Sequence, residues 1–158
     1  MALWNRNGTD MVQTRASAEI ARPVATVFEF VAVEFFGNYP RWSPEVRELE
    51  PLDGKTVAAG IRARQVRVDR GRRSETVFRI TDVEPRRRMR CEGIDRPAFA
   101  IEYEFDPLGP AHCRLDFTFE LRRLEMYMRP FERLIRRAVQ EGSETTVANI
   151  KHLIEHER

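Results

Sequence analysis

The last part of the chain carries the strongest helical pattern. From residue 126 to residue 156, apolar residues recur mostly at spacings of three, four and seven, which predicts one long helix with a buried stripe. The predicted stripe consists of Met128, Phe131, Leu134, Ile135, Ala138, Val139, Ala148, Ile150, Leu153 and Ile154. Such a helix would span about 45 Å. A small domain can bury it only by wrapping other elements around it.

The start of the chain follows a different pattern. Residues 12–20 alternate between apolar and polar, which predicts a half-buried strand. Pro23 can open the helix indicated by the spacing of the apolar residues at 24, 27, 28 and 31. A second short helix is predicted at 33–38, and we expect Pro40 and Pro44 to prevent regular structure across 39–44.

The middle of the chain predicts about six strands, at 46–50, 61–69, 74–83, 88–94, 98–106 and 112–122. The links between them are short, so successive strands must pair antiparallel. No strands alternate with helices, which argues against a doubly wound fold. An antiparallel sheet of this length must twist and curl, and the long helix can cover its open face. The fold class predicted is therefore α+β.

Length and composition favour a single domain covering residues 1–158, with residues 1–11 expected to be loose. No run of about 18 apolar residues suggests a membrane span, and no apolar signal core begins the chain, so we expect a cytoplasmic protein. Cys91 and Cys113 should then be reduced. The net charge is only +2, and no aromatic residues interleave with the arginine runs, so nucleic acid is not an expected partner.

Several segments together resemble a known family. They are the opening strand, the segment 21–31, the segment 38–46 with its Tyr-Pro-Arg-Trp-Ser-Pro run, Gly60 entering a strand, residues 84–88 and the long final helix. The sequence resembles the START-like, helix-grip (SRPBCC) superfamily over residues 12–156, and most closely its polyketide cyclase/dehydrase branch. The resemblance implies a curled sheet of about seven strands around the C-terminal helix, two short helices after the first strand, and a cavity between sheet and helix. Members bind lipids, hormones, polyketides or quinone-like molecules, or act as protein partners, and share no catalytic signature.

The side chains that would line such a cavity are mostly aromatic. Phe35 and Trp42 are expected near a mouth formed by the short helices. The strands and the long helix would contribute Phe78, Phe99, Tyr103, Phe117, Phe119, Phe131 and Ile135. The alternative is a filled core, because phenylalanines at alternating strand positions usually only pack.

The sequence does not show which face of the strand at 61–69 points into the interior. Gln65 and Arg67 alternate with Ile61 and Ala63, and if this face points inward they could hold an anionic or carbonyl-bearing head group. If the valines at 66 and 68 point inward instead, Gln65 and Arg67 face solvent.

Candidate chemistry is sparse. Tyr103 is the best, though weak, candidate for a general acid or base, and the alternative is an interior tyrosine bonded to backbone or water. His152 and His156 match an H-x-x-E-H pattern, but no third ligand follows them and histidines in a last helical turn suit the helix dipole. We expect neither a metal nor a cofactor.

Three hypotheses follow. The first is a protein that binds a small, largely hydrophobic ligand, lipid-like or polyketide-like, in an internal cavity. The second is a cyclase or dehydratase that uses the same cavity. The third is a protein-interaction module with a filled core and an apolar patch on its outer surface. The sequence leaves a homodimer open.

Overall fold

Seven strands form one antiparallel sheet in the computed structural model, which describes residues 11–94, 98–122, 124 and 126–156. The strands are β1 (Val12–Ile20), β2 (Val46–Pro51), β3 (Arg62–Asp69), β4 (Arg72–Glu84), β5 (Arg88–Gly93), β6 (Phe99–Gly109) and β7 (His112–Leu121). The loose end predicted for residues 1–11 lies outside the described residues except for Met11. Within those ranges, no helix is long and apolar enough to cross a bilayer.

The helices are arranged as the sequence pattern predicted, with different limits. Helix α1 (Val24–Phe28) continues into a π-helical turn (Glu29–Val33), and α2 (Phe35–Trp42) follows. After β7, a 3₁₀ turn (Met126–Phe131) leads into the long helix α3 (Glu132–His156). This is the helix-grip arrangement that the resemblance implied.

The order of strands across the sheet is β1-β7-β6-β5-β4-β3-β2, so β1 and β2 are the edges. The pairing of Val12 with Leu121, of Leu121 with Phe99, and of Gly93 with Phe78 places the start of β1 and the end of β5 at one end of the sheet. We call this the open end. The start of α3 lies there too, because Ile135 packs on a small cluster that contains Val12 and Leu121.

Two predicted element limits next to prolines were wrong, the end of the second short helix at 38 and the end of the strand at 106. Helix α2 continues through Pro40 to Trp42, because its residues at 35, 39 and 42 share one buried face whose packing offsets the lost hydrogen bond. Strand β6 likewise runs past Pro107 to Gly109, with a register shift at that point, which is how a strand accommodates proline.

The predicted stripe of the long helix is buried only in its second half. The buried residues of α3 are Ser143, Val147, Ile150 and Ile154. Phe131 and Leu134 are 55% and 65% exposed, so the prediction of a continuous buried stripe was wrong. The spacing holds along the whole helix, but its first turns overhang the small cluster at the open end and leave apolar side chains uncovered.

Candidate functional site

An aromatic layer fills the space between the curled sheet and α3. Phe35, Tyr39 and Trp42 leave α2 on one face, because they are separated by four and three residues. The Phe35 and Tyr39 rings stack with centroids 4.9 Å apart, and Phe35 meets Phe78 of β4 edge-on at 6.2 Å. Trp42 meets Tyr103 of β6 at 6.1 Å. The interior is therefore organised by α2 pressing into the concave face of the sheet.

The rings of β6 and β7 complete this layer. Tyr103 is 1% exposed and packs on Phe117 with centroids 5.1 Å apart. Trp42 is also held from the helix side, since the Asn149 side-chain amide donates a 2.9 Å hydrogen bond to the Trp42 carbonyl oxygen. Phe35 and Trp42, which the sequence placed near a mouth, are 0% and 1% exposed and form the centre of the layer instead.

A chain of hydrogen bonds crosses one side of the layer. The Arg67 guanidinium donates to the Tyr39 hydroxyl at 3.0 Å, and that hydroxyl donates to the Gln65 side-chain oxygen at 3.0 Å. The Gln65 amide in turn donates to the Thr76 hydroxyl at 3.2 Å. Two further N–H groups of Arg67 bind both carboxylate oxygens of Asp69. Gln65 and Arg67 thus share the inward face of β3, which answers the question that the sequence left open.

Burial and pairing together set the protonation states of Tyr39 and Arg67 in this series of hydrogen bonds. Burial raises the pKa of Tyr39, and the positive charge of Arg67 only partly offsets this, so Tyr39 keeps its proton at neutral pH. Burial would lower the pKa of Arg67, but Tyr39 and Asp69 outweigh it and the net direction is upward. Arg67 is therefore a permanently charged group whose partners are already in place.

The Trp42 indole nitrogen, in contrast, lacks such a partner. The Trp42 indole Nε1 is one of two buried side-chain nitrogen or oxygen atoms of the described residues that have no hydrogen-bond partner. It lies near the Tyr103 hydroxyl and lowers the pKa of that group slightly, but the geometry is not that of a hydrogen bond. Burial dominates and raises the pKa of Tyr103 well above its ordinary value, so this hydroxyl is also a donor at neutral pH.

The remaining predicted cavity residues lie toward the open end. Phe99 and Phe119 stack nearly parallel with centroids 6.4 Å apart, and both are only partly buried. Phe119 and Ile135 pack on the small cluster of the open end, whereas Phe131 is more than half exposed. The structure therefore groups Phe35, Trp42, Gln65, Phe78, Tyr103 and Phe117 in one interior layer, and separates Phe99, Phe119, Phe131 and Ile135 from its centre. Their role in ligand binding stays a prediction.

Other reactive groups lie apart from this layer or are inert. Burial raises the pKa of the Cys91 thiol far above its ordinary value, and that of Cys113 also rises, so neither is a thiolate at neutral pH. The His152 and His156 rings face each other 4.4 Å apart at the end of α3. Within the described ranges no three metal-ligating side chains come together.

Tyr39 and Thr76 are the members of this site that the sequence reasoning missed. A usable signal existed, because positions 35, 39 and 42 have the spacing of one helical face. It was hidden by the expectation that Pro40 and Pro44 end the helix. Thr76 carries no such signal, since its role follows from the pairing of Gln65 with Thr76 across β3 and β4.

Comparison with known proteins identifies related sequences and folds. The sequence profile of the family described as "Polyketide cyclase / dehydrase and lipid transport" matches residues 11–155. No curated protein matches the chain.

Solved structures share the fold at low sequence identity. The Zhui aromatase/cyclase from a Streptomyces species is 17% identical with a TM-score of 0.76, over 92% of this chain and 94% of that one. A START superfamily protein from Mycobacterium smegmatis is 15% identical with a TM-score of 0.75, over 90% and 97% of the two chains. Norcoclaurine synthase from Thalictrum flavum is 13% identical with a TM-score of 0.72, over 94% and 96%. At such identities the likeness shows the fold alone.

Proposed function

The chain belongs to the polyketide cyclase/dehydrase and lipid transport family, and we propose that it binds one small, largely hydrophobic molecule that carries a carbonyl or similar acceptor oxygen. The binding place is the aromatic layer between the curled sheet and α3. Its walls are rings that offer a ligand apolar contact, and the Trp42 indole Nε1 in these walls is a donor without a partner. Apolar burial would supply most of the affinity, at about 25 cal/mol per Å².

The observation that carries the proposal is the unpartnered indole N–H of Trp42. Leaving a buried donor without an acceptor costs about 1–3 kcal/mol. A ligand oxygen placed between Trp42 and Tyr103 would accept from both donors and remove that cost. The hydrogen-bond chain of Arg67, Tyr39 and Gln65 is already satisfied internally, so its role in the proposal is to hold the adjacent ring of Tyr39 in position.

The route to this site is expected at the open end. The rings of the layer are in mutual contact, so a ligand must displace some of them to enter. Phe99 and Phe119 are partly buried on the side of the layer that faces the start of α3, whereas Tyr103 and Trp42 behind them are enclosed. Movement of the first turns of α3, whose side chains are the least covered of that helix, would open the layer with the least loss of buried contact.

The first test asks whether the interior takes up a molecule at all. The protein is purified, weighed by native mass spectrometry, and then extracted under denaturing conditions. A stoichiometric apolar passenger supports the proposal. A protein that arrives empty and also binds neither of the two probes described next contradicts it.

The second test asks whether the unpaired donor matters. Anthraquinone and anthracene share a tricyclic skeleton, but only the quinone has acceptor oxygens. We expect the quinone to bind about tenfold more tightly, the value of one net hydrogen bond. Trp42→Phe should remove this preference and leave anthracene binding nearly unchanged, whereas Phe78→Leu, which alters the wall without touching a donor, should weaken both probes alike. Equal affinity of the wild-type protein for the two probes would count against the role of Trp42.

Catalysis by a cyclase or dehydratase is a second candidate, and the protonated state of Tyr103 is the observation that favours it. A neutral phenol beside a substrate carbonyl can donate a hydrogen bond that stabilises the charge developing on the oxygen, whereas its raised pKa disfavours complete proton transfer. Tyr103→Phe should then abolish turnover of a polyketide-like substrate while binding persists. A protein that binds the substrate for hours without converting it would be a carrier. A cytoplasmic location and a homodimer remain predictions.

A further inference from the structure

The start of the long helix presents apolar side chains to solvent. We call residues 126–138 the overhang. Met126, Tyr127, Phe131 and Leu134 are 81%, 68%, 55% and 65% exposed, and among the large apolar residues of the described chain only Val33, at 55%, is as exposed as the least exposed of them. Leu134 precedes the buried Ser143 by nine residues, about two and a half helical turns, so it points away from the sheet. This patch is not part of the core that the same helix builds further on.

Arginine surrounds these apolar side chains. The overhang contains Arg129, Arg133, Arg136 and Arg137 against a single acidic residue, Glu132, a net charge of +3 in a chain whose total is +2. Arg133 and Arg137 are one helical turn apart and flank Leu134. Both are exposed, and neither forms an ion pair with a described residue. Several arginines elsewhere on the described surface are ion-paired, for example Arg64 with Glu48, Glu50 and Glu75, and within the overhang Arg136 pairs with Glu132.

We propose that the overhang docks the protein onto an anionic lipid membrane. Apolar side chains at the tip would insert at the level of the acyl chains, and the arginines beside them would contact lipid phosphates. This combination of exposed apolar residues, an aromatic hydroxyl and the exposed guanidinium groups of Arg133 and Arg137 on one helical segment is the composition of interfacial membrane-binding helices.

The shape and charge of the overhang favour a bilayer over another protein. The patch lies on a helix end that extends past the buried part of α3, a projecting surface suited to insertion and not to enclosing a partner. A second copy of the chain would bring two clusters of net charge +3 together, which opposes pairing at this surface. An anionic bilayer instead complements that charge over its whole surface.

The overhang lies next to the open end, so docking through it would also determine which end of the sheet faces the membrane. The overhang borders the open end, since Met128 and Ile135 pack on the cluster of Val12, Leu121 and Leu124. Docking would place the open end against the bilayer. The inference does not depend on the proposed interior ligand, because it rests on exposed side chains only.

The test is vesicle flotation with the full chain. Vesicles of phosphatidylcholine with phosphatidylglycerol are compared with vesicles of phosphatidylcholine alone, in low and high salt. We expect binding to the anionic vesicles only, and weaker binding in high salt because counterions screen the arginines. Arg133→Gln/Arg137→Gln should lower the affinity roughly 25-fold, about fivefold for each basic residue removed. Leu134→Gln should lower it by about tenfold through lost insertion.

Matched controls lie at the opposite end of the sheet. Arg86→Gln/Arg87→Gln removes the same charge from the exposed turn between β4 and β5, and Leu108→Gln removes an apolar side chain that is 46% exposed. Neither should change flotation by more than about twofold. Thermal melts of all variants verify that they fold, since every changed side chain is on the surface.

Three results would overturn the proposal. The first is absence of binding to the anionic vesicles. The second is an equal loss in the control pair, which would show a general effect of net charge. The third is concentration-dependent self-association in the absence of lipid that Leu134→Gln abolishes, which would assign the patch to contact between copies of the chain.

Discussion

Single residues in this protein show how strongly local surroundings decide the effect of one atom. Two glycines, Gly93 at the end of β5 and Gly142 in α3, look alike in the sequence, where each only weakens the predicted element. A Cβ added at Gly93 would lie 2.5 Å from the Phe99 ring, whereas one added at Gly142 would meet nothing within 4 Å. Residue spacing alone does not distinguish these two positions.

The same substitution should therefore have opposite effects at these two glycines. Gly142→Ala should stabilise the fold by up to about 1 kcal/mol, because alanine is the better helix former. Gly93→Ala should destabilise it by about 1–3 kcal/mol, because Phe99 must leave its stack on Phe119. Urea unfolding of the two variants measures this, and destabilisation of both would contradict it.

A buried pair of hydroxyls joins α3 to β1. Ser143 donates to the Val139 carbonyl at 2.9 Å, so the 2.8 Å contact with Thr14 must be donated by Thr14. Ser143→Ala leaves the buried Thr14 hydroxyl without an acceptor and should cost about 1–3 kcal/mol. Adding Thr14→Val, which removes that donor at similar volume, should restore part of the loss. A double variant less stable than Ser143→Ala would show that the contact matters through packing alone.

Among the elements, helix α3 covers the edge strand β1. The outer side of β1 has no neighbouring strand, and side chains of α3 bind its carbonyls instead. Gln140 donates to the Arg15 carbonyl at 3.0 Å, and the Lys151 ammonium donates to the Glu19 carbonyl. Such covering is how proteins prevent an edge strand from pairing with another chain.

Removal of these two donors should expose the edge. Gln140→Ala/Lys151→Ala leaves the carbonyls of β1 available to a strand from a second molecule, so we expect concentration-dependent association with little change in secondary structure. Arg136→Ala/Arg137→Ala on the same helix, which touches no β1 carbonyl, is the control. Light scattering over a concentration series measures the difference, and a double variant that stays as dispersed as the control would contradict the role of the donors.

The end of α3 is tied to the loop after β1 by one carboxylate. The Glu155 side chain accepts from the Ala21 backbone N–H at 2.8 Å and from Lys151 at 2.9 Å. The Ala21 bond is the main reason that the pKa of Glu155 lies below its ordinary value of 4.5, and the Lys151 bond adds to it. A carboxylate whose pKa is lower in the folded state stabilises the fold above its unfolded pKa.

This stabilisation should disappear in acid. Glu155→Gln should lower the melting temperature at pH 7, and the difference from the wild-type protein should shrink as the pH falls below about 4.5 and through the lower folded pKa. Arg22 donates to the Glu155 backbone carbonyl at 2.8 Å, a contact that the substitution leaves in place. A difference that is the same at pH 7 and pH 3 would mean that the charge of Glu155 is not involved.

Across the whole molecule, buried contacts are distributed unevenly along α3, so the helix has a less buried first part and a buried second part. Residues 143–154 include every buried residue of the helix, whereas the earlier turns contribute the partly buried Ile135 to the small cluster at the open end and the hydrogen bond from Gln140 to the Arg15 carbonyl. Stability should follow this division, because local opening is easiest where the fewest apolar contacts are lost.

Hydrogen exchange can measure the division directly. Amides of residues 136–141 should exchange faster than those of residues 147–154, although both segments are in one continuous helix. Occupation of the interior by a ligand should slow exchange in the first segment most, since that segment borders the expected route. Uniform protection along α3 would contradict this view of the open end.

Local sequence patterns were sufficient to predict the class of the fold. The alternation in residues 12–20 and 112–121 and the long helical period after residue 126 each arise from local geometry, in which side chains repeat every two residues in a strand and every 3.6 in a helix. Short links imposed antiparallel pairing. The antiparallel sheet, the two short helices and the final helix are therefore confirmed. These rules could not predict the polar partners of Gln65, because the pattern of its strand does not show which face points into the interior.

Which apolar residues are core and which are surface depends on tertiary packing. Leu134 and Ile150 both belong to the stripe predicted for the long helix, but one is 65% exposed and the other fully buried, because the sixteen positions that separate them turn Leu134 to the side of the helix that the sheet does not cover. The packing of Phe35, Tyr39 and Trp42 likewise overrode the preference of Pro40 to end a helix. The unpaired Trp42 donor exists only because distant segments enclose it, and hydrogen-bond satisfaction is a property of three-dimensional contacts that residue spacing does not encode.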